Sequence, residues 1–109
     1  MQPMHLLSMD FYLKMDVQSQ PVLVLFVGPK CGACRRLLRL FDAGENFSFP
    51  CYQLNAEDST FLLEEYAIQH LPSLMCFQLG ELLFEVHDVS SLTAIEEEMK
   101  QKLNQGLAY

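Results

Sequence analysis

Cys31 and Cys34 are the residues of this chain whose type and spacing point most directly to chemistry. Because only two residues separate them, both sulfur atoms can lie on one helical turn and close a small, reversible disulfide ring. A thiolate is the reactive form of cysteine, and the unpaired N–H groups and dipole of a helix N-terminus stabilise such an anion. The pair therefore predicts thiol–disulfide exchange.

The segments on either side of the pair have the patterns of a strand and a helix. Residues 22–27 are six consecutive apolar residues, which is typical of a parallel strand covered on both faces. Beyond the pair, apolar residues recur at helical spacing: Cys34, Leu37, Leu38 and Phe41. The cysteines are thus expected where a buried strand passes into an amphipathic helix over Gly32–Ala43, which ends at Gly44.

The remaining segments alternate between strand and helix patterns. Further strands are expected at residues 5–7, 49–54, 73–77 and 82–86, the last two forming a hairpin. The polar residues expected to cap the other three helices are Ser8, Asp58 or Ser59, and Ser90 or Ser91. The first of these helices is expected to run through about Val17 and the second through Ala67. The order β-α-β-α-β-α-β-β-α predicts an α/β fold with a five-stranded mixed sheet and four helices on both faces.

Composition and charge limit the classes of protein to which this chain can belong. A chain of 109 residues that is half apolar is expected to form one domain over residues 1–109. Its net charge of −7 argues against nucleic acid and anionic membranes as partners, and its longest apolar run of six residues predicts no membrane span. The N-terminus lacks the pattern of a signal peptide, so a reducing, cytoplasmic location is expected.

The basic residues are concentrated beside the cysteines. Four of the seven Lys and Arg residues are Lys30, Arg35, Arg36 and Arg39. They are either a solvated helix face, or groups that stabilise a thiolate and attract acidic partners. The acidic residues 96–98 are interpreted as a solvated first turn of the last helix.

Several landmarks besides the cysteines are similar to those of the thioredoxin family. They are an acidic turn after the third strand at residues 54–57, a stretch at 66–73 that includes Leu71 and Pro72, and a hairpin at 77–81. The chain resembles that family from Met4 to about Leu103, with almost no gap between landmarks. The resemblance implies a thioredoxin fold.

The resemblance also implies roles for individual residues. Cys31 matches the exposed nucleophile, and Cys34 matches the buried thiol that resolves the mixed disulfide. Pro72 matches a proline whose cis peptide bond lies beside the disulfide, and Leu71 would offer its backbone groups to a substrate. The implied function is reduction or exchange of disulfides in protein substrates, with an external reductase and no cofactor beyond the Cys31–Cys34 disulfide.

The chain departs from the family pattern around the motif. Lys30 replaces a tryptophan and Ala33 replaces a proline, and both are expected, together with Gly32, to contact substrate. Alanine restores an N–H donor that proline lacks, which favours the thiolate and a more oxidising disulfide. Asp88 stands where a glycine usually lines the groove, so it is expected to narrow the range of partners.

A buried charge pair of the family is also missing. Leu25 and Gln53 occupy the positions of an aspartate, which accepts the proton of the second cysteine, and of a neighbouring lysine. Losing both together avoids an unpaired buried charge, which would cost about 3–5 kcal/mol. The proton-transfer step therefore lacks its usual acceptor.

Two other interpretations of the cysteines remain open. A zinc site would need a second closely spaced pair, but Cys51 and Cys76 lie far apart in apolar strands and are interpreted as buried hydrophobes. No metal is therefore expected. Alternatively, the chain is a thioredoxin-fold interaction module with weak or no redox turnover.

Overall fold

The computed structural model describes residues 2–44 and 46–105, and in them the expected order of elements is confirmed. Short 3₁₀ turns at Ser8–Asp10 and Ala56–Asp58 precede the first and third helices. No helix in the described part of the chain is long and apolar enough to cross a bilayer. The strands and helices are β1 (Met4–His5), α1 (Phe11–Asp16), β2 (Val22–Val27), α2 (Gly32–Ala43), β3 (Cys51–Asn55), α3 (Thr60–Glu65), β4 (Ser73–Gln78), β5 (Glu81–Val86) and α4 (Leu92–Asn104).

The five strands form one mixed sheet in the order β1-β3-β2-β4-β5. Strands β1, β3 and β2 are parallel, whereas β4 runs antiparallel to β2 and β5 antiparallel to β4. Strand β2 lies at the centre, and all six of its residues are buried. This burial explains why the sequence of β2 is continuously apolar and does not alternate between apolar and polar residues.

Successive residues of β2 point to two separate cores because side chains alternate across a strand. On one face, β2 packs with α2 and α4; this core includes Leu23, Leu25, Val27, Cys34, Leu37, Phe41, Ile95 and Met99. On the other face, it packs with α1 and α3; this core includes Phe11, Met15, Val22, Val24, Phe26 and Leu62. The chain therefore buries both faces of its sheet, as the sequence pattern predicts.

One of the expected helix caps is wrong, and a second has the expected position without the capping bond. Helix α1 begins at Phe11 rather than at Ser8, and the Ser8 hydroxyl donates to the carbonyl oxygen of Asp58 at 2.7 Å. Ser59 occupies the N-cap position of α3, but its hydroxyl donates back to the Asn55 carbonyl oxygen at 2.9 Å. Both hydroxyls satisfy backbone groups that belong to other segments, which a local capping pattern does not reveal.

Leu25 and Gln53 are cross-strand partners in the register of β2 and β3. Leu25 is fully buried, in the same core as Cys34. Gln53 is 6% exposed, and its Nε2 donates to the Pro3 carbonyl oxygen at 2.9 Å. The two positions assigned to a missing charge pair therefore are neighbours, and the polar one is satisfied by an uncharged hydrogen bond.

We expect Leu25→Asp to destabilise the fold at neutral pH, because no described cation lies at this position to pair with a buried carboxylate. Burial would raise the pKa of the new carboxyl above its unfolded value, and each unit of that rise costs about 1.4 kcal/mol at neutral pH. The native state would then bind the extra proton, so the penalty should be smallest near pH 4 and grow as pH rises to the native pKa.

Urea denaturation of Leu25→Asp and Leu25→Asn between pH 4 and pH 8 tests this expectation. Asparagine is close to aspartate in size but does not ionise in this range, so it reports the loss of packing alone. The two variants should have similar stability near pH 4 and diverge above it. If the two variants lose equal stability at every pH, a carboxyl at position 25 is not kept out of water.

Candidate active site

Cys31 is the N-cap residue of α2 and has an extended backbone conformation. Its Sγ accepts a hydrogen bond from the backbone N–H of Cys34 at 3.1 Å, while its carbonyl oxygen accepts the first helical bond, from Arg35 N–H. The sulfur therefore takes the place that a serine or aspartate oxygen occupies in an ordinary N-cap. A thiolate at this position would be stabilised by the same N–H group and by the helix dipole.

Cys34 lies one turn inside the helix and is 1% exposed, whereas Cys31 is partly exposed. The two sulfur atoms form a disulfide, with Cα atoms 5.2 Å apart. Cys31 is thus partly accessible although it also packs against the core, whereas Cys34 is buried within the core that includes Leu25, Leu37 and Phe41. This asymmetry allows an outside thiol or disulfide to reach Cys31 and leaves Cys34 for an intramolecular step.

A groove of about 380 Å³ adjoins the cysteine helix. Its lining residues come from α2, from the start of β4 and from the segment between β5 and α4: Ala33, Arg36, Leu37, Leu40, Pro72, Val89 and Ser90. The Leu71–Pro72 peptide bond is cis, as the family resemblance implied. The groove is lined mainly by apolar side chains, with Arg36 as its charged residue.

The proline side of the groove is fixed by two local contacts. The Ser73 hydroxyl, 1% exposed, donates to the His70 carbonyl oxygen at 2.7 Å and so ties together the residues that flank the cis bond. Leu71 packs against the core and approaches Gly28 so closely that a Cβ there would lie 3.1 Å from Leu71 Cδ1. These contacts hold the segment beside the end of β2.

Glu98 of α4 fixes the opposite side of the groove. Its carboxylate accepts the backbone N–H groups of His87 and Asp88 at 3.0 and 2.8 Å and pairs with Lys102 at 2.7 Å. Lys102 Nζ also donates to the Glu85 carbonyl oxygen at 2.8 Å. Burial disfavours the charged carboxylate, but the bonds from Lys102, Asp88 and His87 outweigh it and lower the pKa of Glu98. The interpretation of residues 96–98 as a solvated turn is therefore wrong for Glu98. It is also wrong for Glu96, whose carboxylate accepts the Ser48 N–H at 2.7 Å.

Asp88 is exposed, and one of its carboxylate oxygens is used within its own turn. Its Oδ1 accepts both the Ser90 hydroxyl at 2.7 Å and the Ser90 N–H at 3.2 Å, which lowers the pKa of Asp88. This local turn shapes the segment that brings Val89 and Ser90 to the groove. The expectation that Asp88 narrows the range of partners stays a prediction.

The structure joins Cys31 to Cys34, and it places Ala33 and Pro72 in the wall of the groove beside the cysteine helix. The other residues expected to contact substrate, Lys30, Gly32 and Leu71, are not among the groove-lining residues of the described chain. Their roles stay predictions.

Sequence reasoning did not assign Arg36, Val89, Ser90 or Glu98 to the site. Of these four residues, only Arg36 is singled out by a sequence pattern, because it belongs to the group of basic residues beside the cysteines.

The two other cysteines take no part in this site. Cys51 and Cys76 are buried, free thiols, and burial raises the pKa of each, that of Cys76 to about 12. Buried thiols of high pKa are poor nucleophiles. Within residues 2–44 and 46–105 no cluster of His, Cys, Asp and Glu side chains is arranged to hold a metal ion.

Comparisons with known proteins agree with this architecture. The thioredoxin family model matches residues 3–101. The chain is also similar in structure to a mutant thioredoxin from Halobacterium salinarum NRC-1, with a TM-score of 0.76 over 93% of this chain and 90% of that one. At 18% sequence identity, this likeness bears on the fold alone.

Two algal proteins illustrate the similarity in sequence. A chloroplastic M-type thioredoxin of Chlamydomonas reinhardtii is 39% identical over 66 residues, which cover 58% of this chain and 47% of that protein. A thioredoxin of Porphyra purpurea is 39% identical over 64 residues, which cover 56% and 60% of the two chains. The matched part thus spans about half the length of these relatives.

We expect Glu98→Gln to lower the free energy of unfolding by about 1–2 kcal/mol at pH 7, since hydrogen bonds to a charged group are lost. Because the native pKa of Glu98 is lowered, its contribution is complete above the unfolded pKa of about 4.3 and disappears as pH falls through the native value. The difference between the two proteins should therefore close in acid, as urea denaturation at pH 7 and near pH 3 would measure.

Glu97→Gln is the matched control, because Glu97 is exposed on the same helix and its loss changes the net charge equally. It should alter stability by no more than about 0.5 kcal/mol. If Glu98→Gln is no more destabilising than this control, Glu98 does not hold the groove wall as described.

Proposed function

The chain belongs to the thioredoxin family, and from that premise we propose that it is a thiol–disulfide oxidoreductase that reduces or exchanges disulfides of protein substrates through Cys31 and Cys34. The observation that carries the proposal is the asymmetric pair at the start of α2. Cys31 is partly exposed and its Sγ accepts an N–H bond, while Cys34, one turn further along α2, is buried. Neither feature is needed by a module that only binds.

The reaction starts from the reduced dithiol. The Cys31 thiolate attacks one sulfur of the substrate disulfide, so that a mixed disulfide forms and the first substrate thiolate leaves. Cys34, as a thiolate, then attacks Cys31 Sγ, which closes the disulfide of the structure and releases the second substrate thiolate. Two electrons pass to the substrate, and its two thiolates take up the two protons that the cysteines have given up.

The proton of Cys34 has no carboxylate acceptor at position 25, because Leu25 fills that part of the core. The substrate thiolate released in the first step lies next to the mixed disulfide, and it is a base of matching strength. In this mechanism it takes the Cys34 proton, either directly or through water, so that the substrate supplies a function that a buried carboxylate supplies elsewhere in the family.

The electron carrier in this proposal is the Cys31–Cys34 disulfide itself, and an external dithiol reductase returns it to the reduced form. We place the protein in a reducing compartment such as the cytoplasm. The support is that Cys51 and Cys76 are both unpaired thiols, so the fold uses no structural disulfide.

Dithiothreitol-driven reduction of insulin, followed by turbidity, tests the proposal. The parent protein should accelerate reduction, and Cys31→Ser should abolish the acceleration because no nucleophile remains. Cys34→Ser should instead accumulate a mixed disulfide on Cys31, which mass spectrometry would locate. Cys51→Ala removes a cysteine outside the site and should keep most of the parent activity.

Failure of the parent protein to accelerate insulin reduction, in a sample shown to be folded, would contradict redox turnover on this substrate. A Cys51→Ala variant as inactive as Cys31→Ser would show that the assignment of the nucleophile is wrong.

A further inference from the structure

The basic residues beside the active site differ in their surroundings from those elsewhere in the chain. Residues 30–39 contain four of the seven Lys and Arg residues and no Asp or Glu. The rest of the chain therefore has three basic residues and all 14 acidic ones. The four are Lys30, Arg35, Arg36 and Arg39, and each is exposed.

The three basic residues outside this segment all have partners within the fold. Lys100 pairs with Glu96 at 3.0 Å, Lys102 pairs with Glu98, and Lys14 lies over the Tyr52 ring at 5.8 Å from its centroid. In contrast, none of the four basic residues of segment 30–39 forms an ion pair with any described residue. Within the described residues, these four charges thus have no ion-pair partner, although the chain as a whole has an excess of acidic residues.

Helix stability does not account for their placement. Arg35 and Arg39 lie on α2 four residues apart, a spacing at which like charges destabilise a helix. The arrangement therefore opposes local stability, which favours a role in binding.

Arg36 connects this charged segment with the groove. It lines the groove together with Ala33, Pro72 and Val89, so a chain bound beside the cysteine pair would lie within reach of its guanidinium. Asp88 is not among the residues that line the groove, and its Oδ1 accepts from Ser90 in its own turn. The lining residues thus include one cation, which has no ion-pair partner in the described chain, and no acidic side chain.

We propose that the preferred substrates carry acidic residues next to the target disulfide, and that Arg36 is the main residue that selects them. This inference rests on the proposed function, and it names the substrate class of the same site. Arg36 contacts the flank of the substrate, while Lys30, Arg35 and Arg39 add a field that attracts it. A guanidinium can hold a carboxylate by two parallel hydrogen bonds, which makes arginine suited to this task.

Stabilisation of the Cys31 thiolate is another effect that nearby cations exert. Thiolate stabilisation and recognition of acidic flanks can be distinguished because they depend on the substrate in different ways. A more stable thiolate changes the rate for every disulfide alike, whereas recognition of acidic flanks changes the rates of acidic, neutral and basic substrates differently. The test therefore compares substrates rather than a single rate.

The test uses three synthetic disulfide peptides of one length that differ only beside the cysteines, with glutamate, glutamine or lysine there. Rates of reduction by the dithiothreitol-reduced protein would give kcat and KM for each. At low ionic strength the glutamate peptide should have a kcat/KM about tenfold above that of the lysine peptide, mainly through KM. Added salt should shrink this ratio, because exposed charges are screened.

Arg36→Gln should reduce the ratio of kcat/KM for the glutamate peptide to that for the lysine peptide by about threefold, because the loss falls mainly on the glutamate peptide. Lys100→Gln is the matched control, since it removes one exposed positive charge from α4. It should keep the parental ratio. Equal kcat/KM values for the three peptides in the parent protein would overturn the proposal, as would an equal slowing of all three by Arg36→Gln.

Binding of the same peptides to a Cys31→Ser/Cys34→Ser protein, measured by fluorescence anisotropy, separates this inference from the proposed function. If the parent protein reduces none of the peptides, the redox proposal fails; stronger, salt-sensitive binding of the glutamate peptide would still support selection of acidic segments. If the parent reduces all three, but the double variant binds them equally and no rate preference exists, the selection proposal alone is overturned.

Discussion

Burial of β2 on both faces is the constraint on which the rest of the structure depends. All six residues of the strand are covered, so its backbone groups must be paired by β3 on one side and β4 on the other. A strand with two covered faces needs a helical layer on each, which α2 with α4 and α1 with α3 provide. Beyond the end of this buried strand the chain turns into α2, and Cys31 is held there as the N-cap residue of the helix.

The two sulfur atoms of the pair differ because they belong to different parts of one helical turn. Cys31 caps the helix and receives an N–H bond, whereas Cys34 lies on the buried stripe with Leu37 and Phe41. The same periodicity that buries the helix therefore assigns the two chemical roles. No separate group is needed to make one cysteine accessible and the other internal.

Features encoded in neighbouring residues could be predicted from the sequence. Helix α2 has the expected bounds, Gly32–Ala43, since its apolar spacing and its N-cap lie within one segment. The cis bond at Pro72 was inferred from the family resemblance, because a local pattern does not distinguish cis from trans. The extent of the single domain, residues 1–109, stays a prediction.

Features that join distant segments could not be predicted. Glu98 was expected to face solvent because its neighbours and its spacing to Lys102 suit an exposed helix face; its bonds to the N–H groups of residues 87 and 88 arise only when α4 packs on the sheet. The hydroxyl of Ser8 is similar, since its acceptor is 50 positions away at Asp58. The groove needs three segments at once: the residues themselves indicate only its α2 part, while the family resemblance, and no local pattern, indicates Pro72 and the segment around Asp88.

The positions of Cys51 and Cys76 determine how many disulfides the protein can form in its redox equilibrium. Cys51 and Cys76 are both register partners of Leu23, on opposite sides of it, so two strand spacings of about 4.8 Å separate them. That is beyond the separation at which a disulfide closes without movement of the backbone, about 7 Å between Cα atoms. A chain with four cysteines consequently has one redox couple, and its equilibrium with a redox buffer follows a single two-electron Nernst curve.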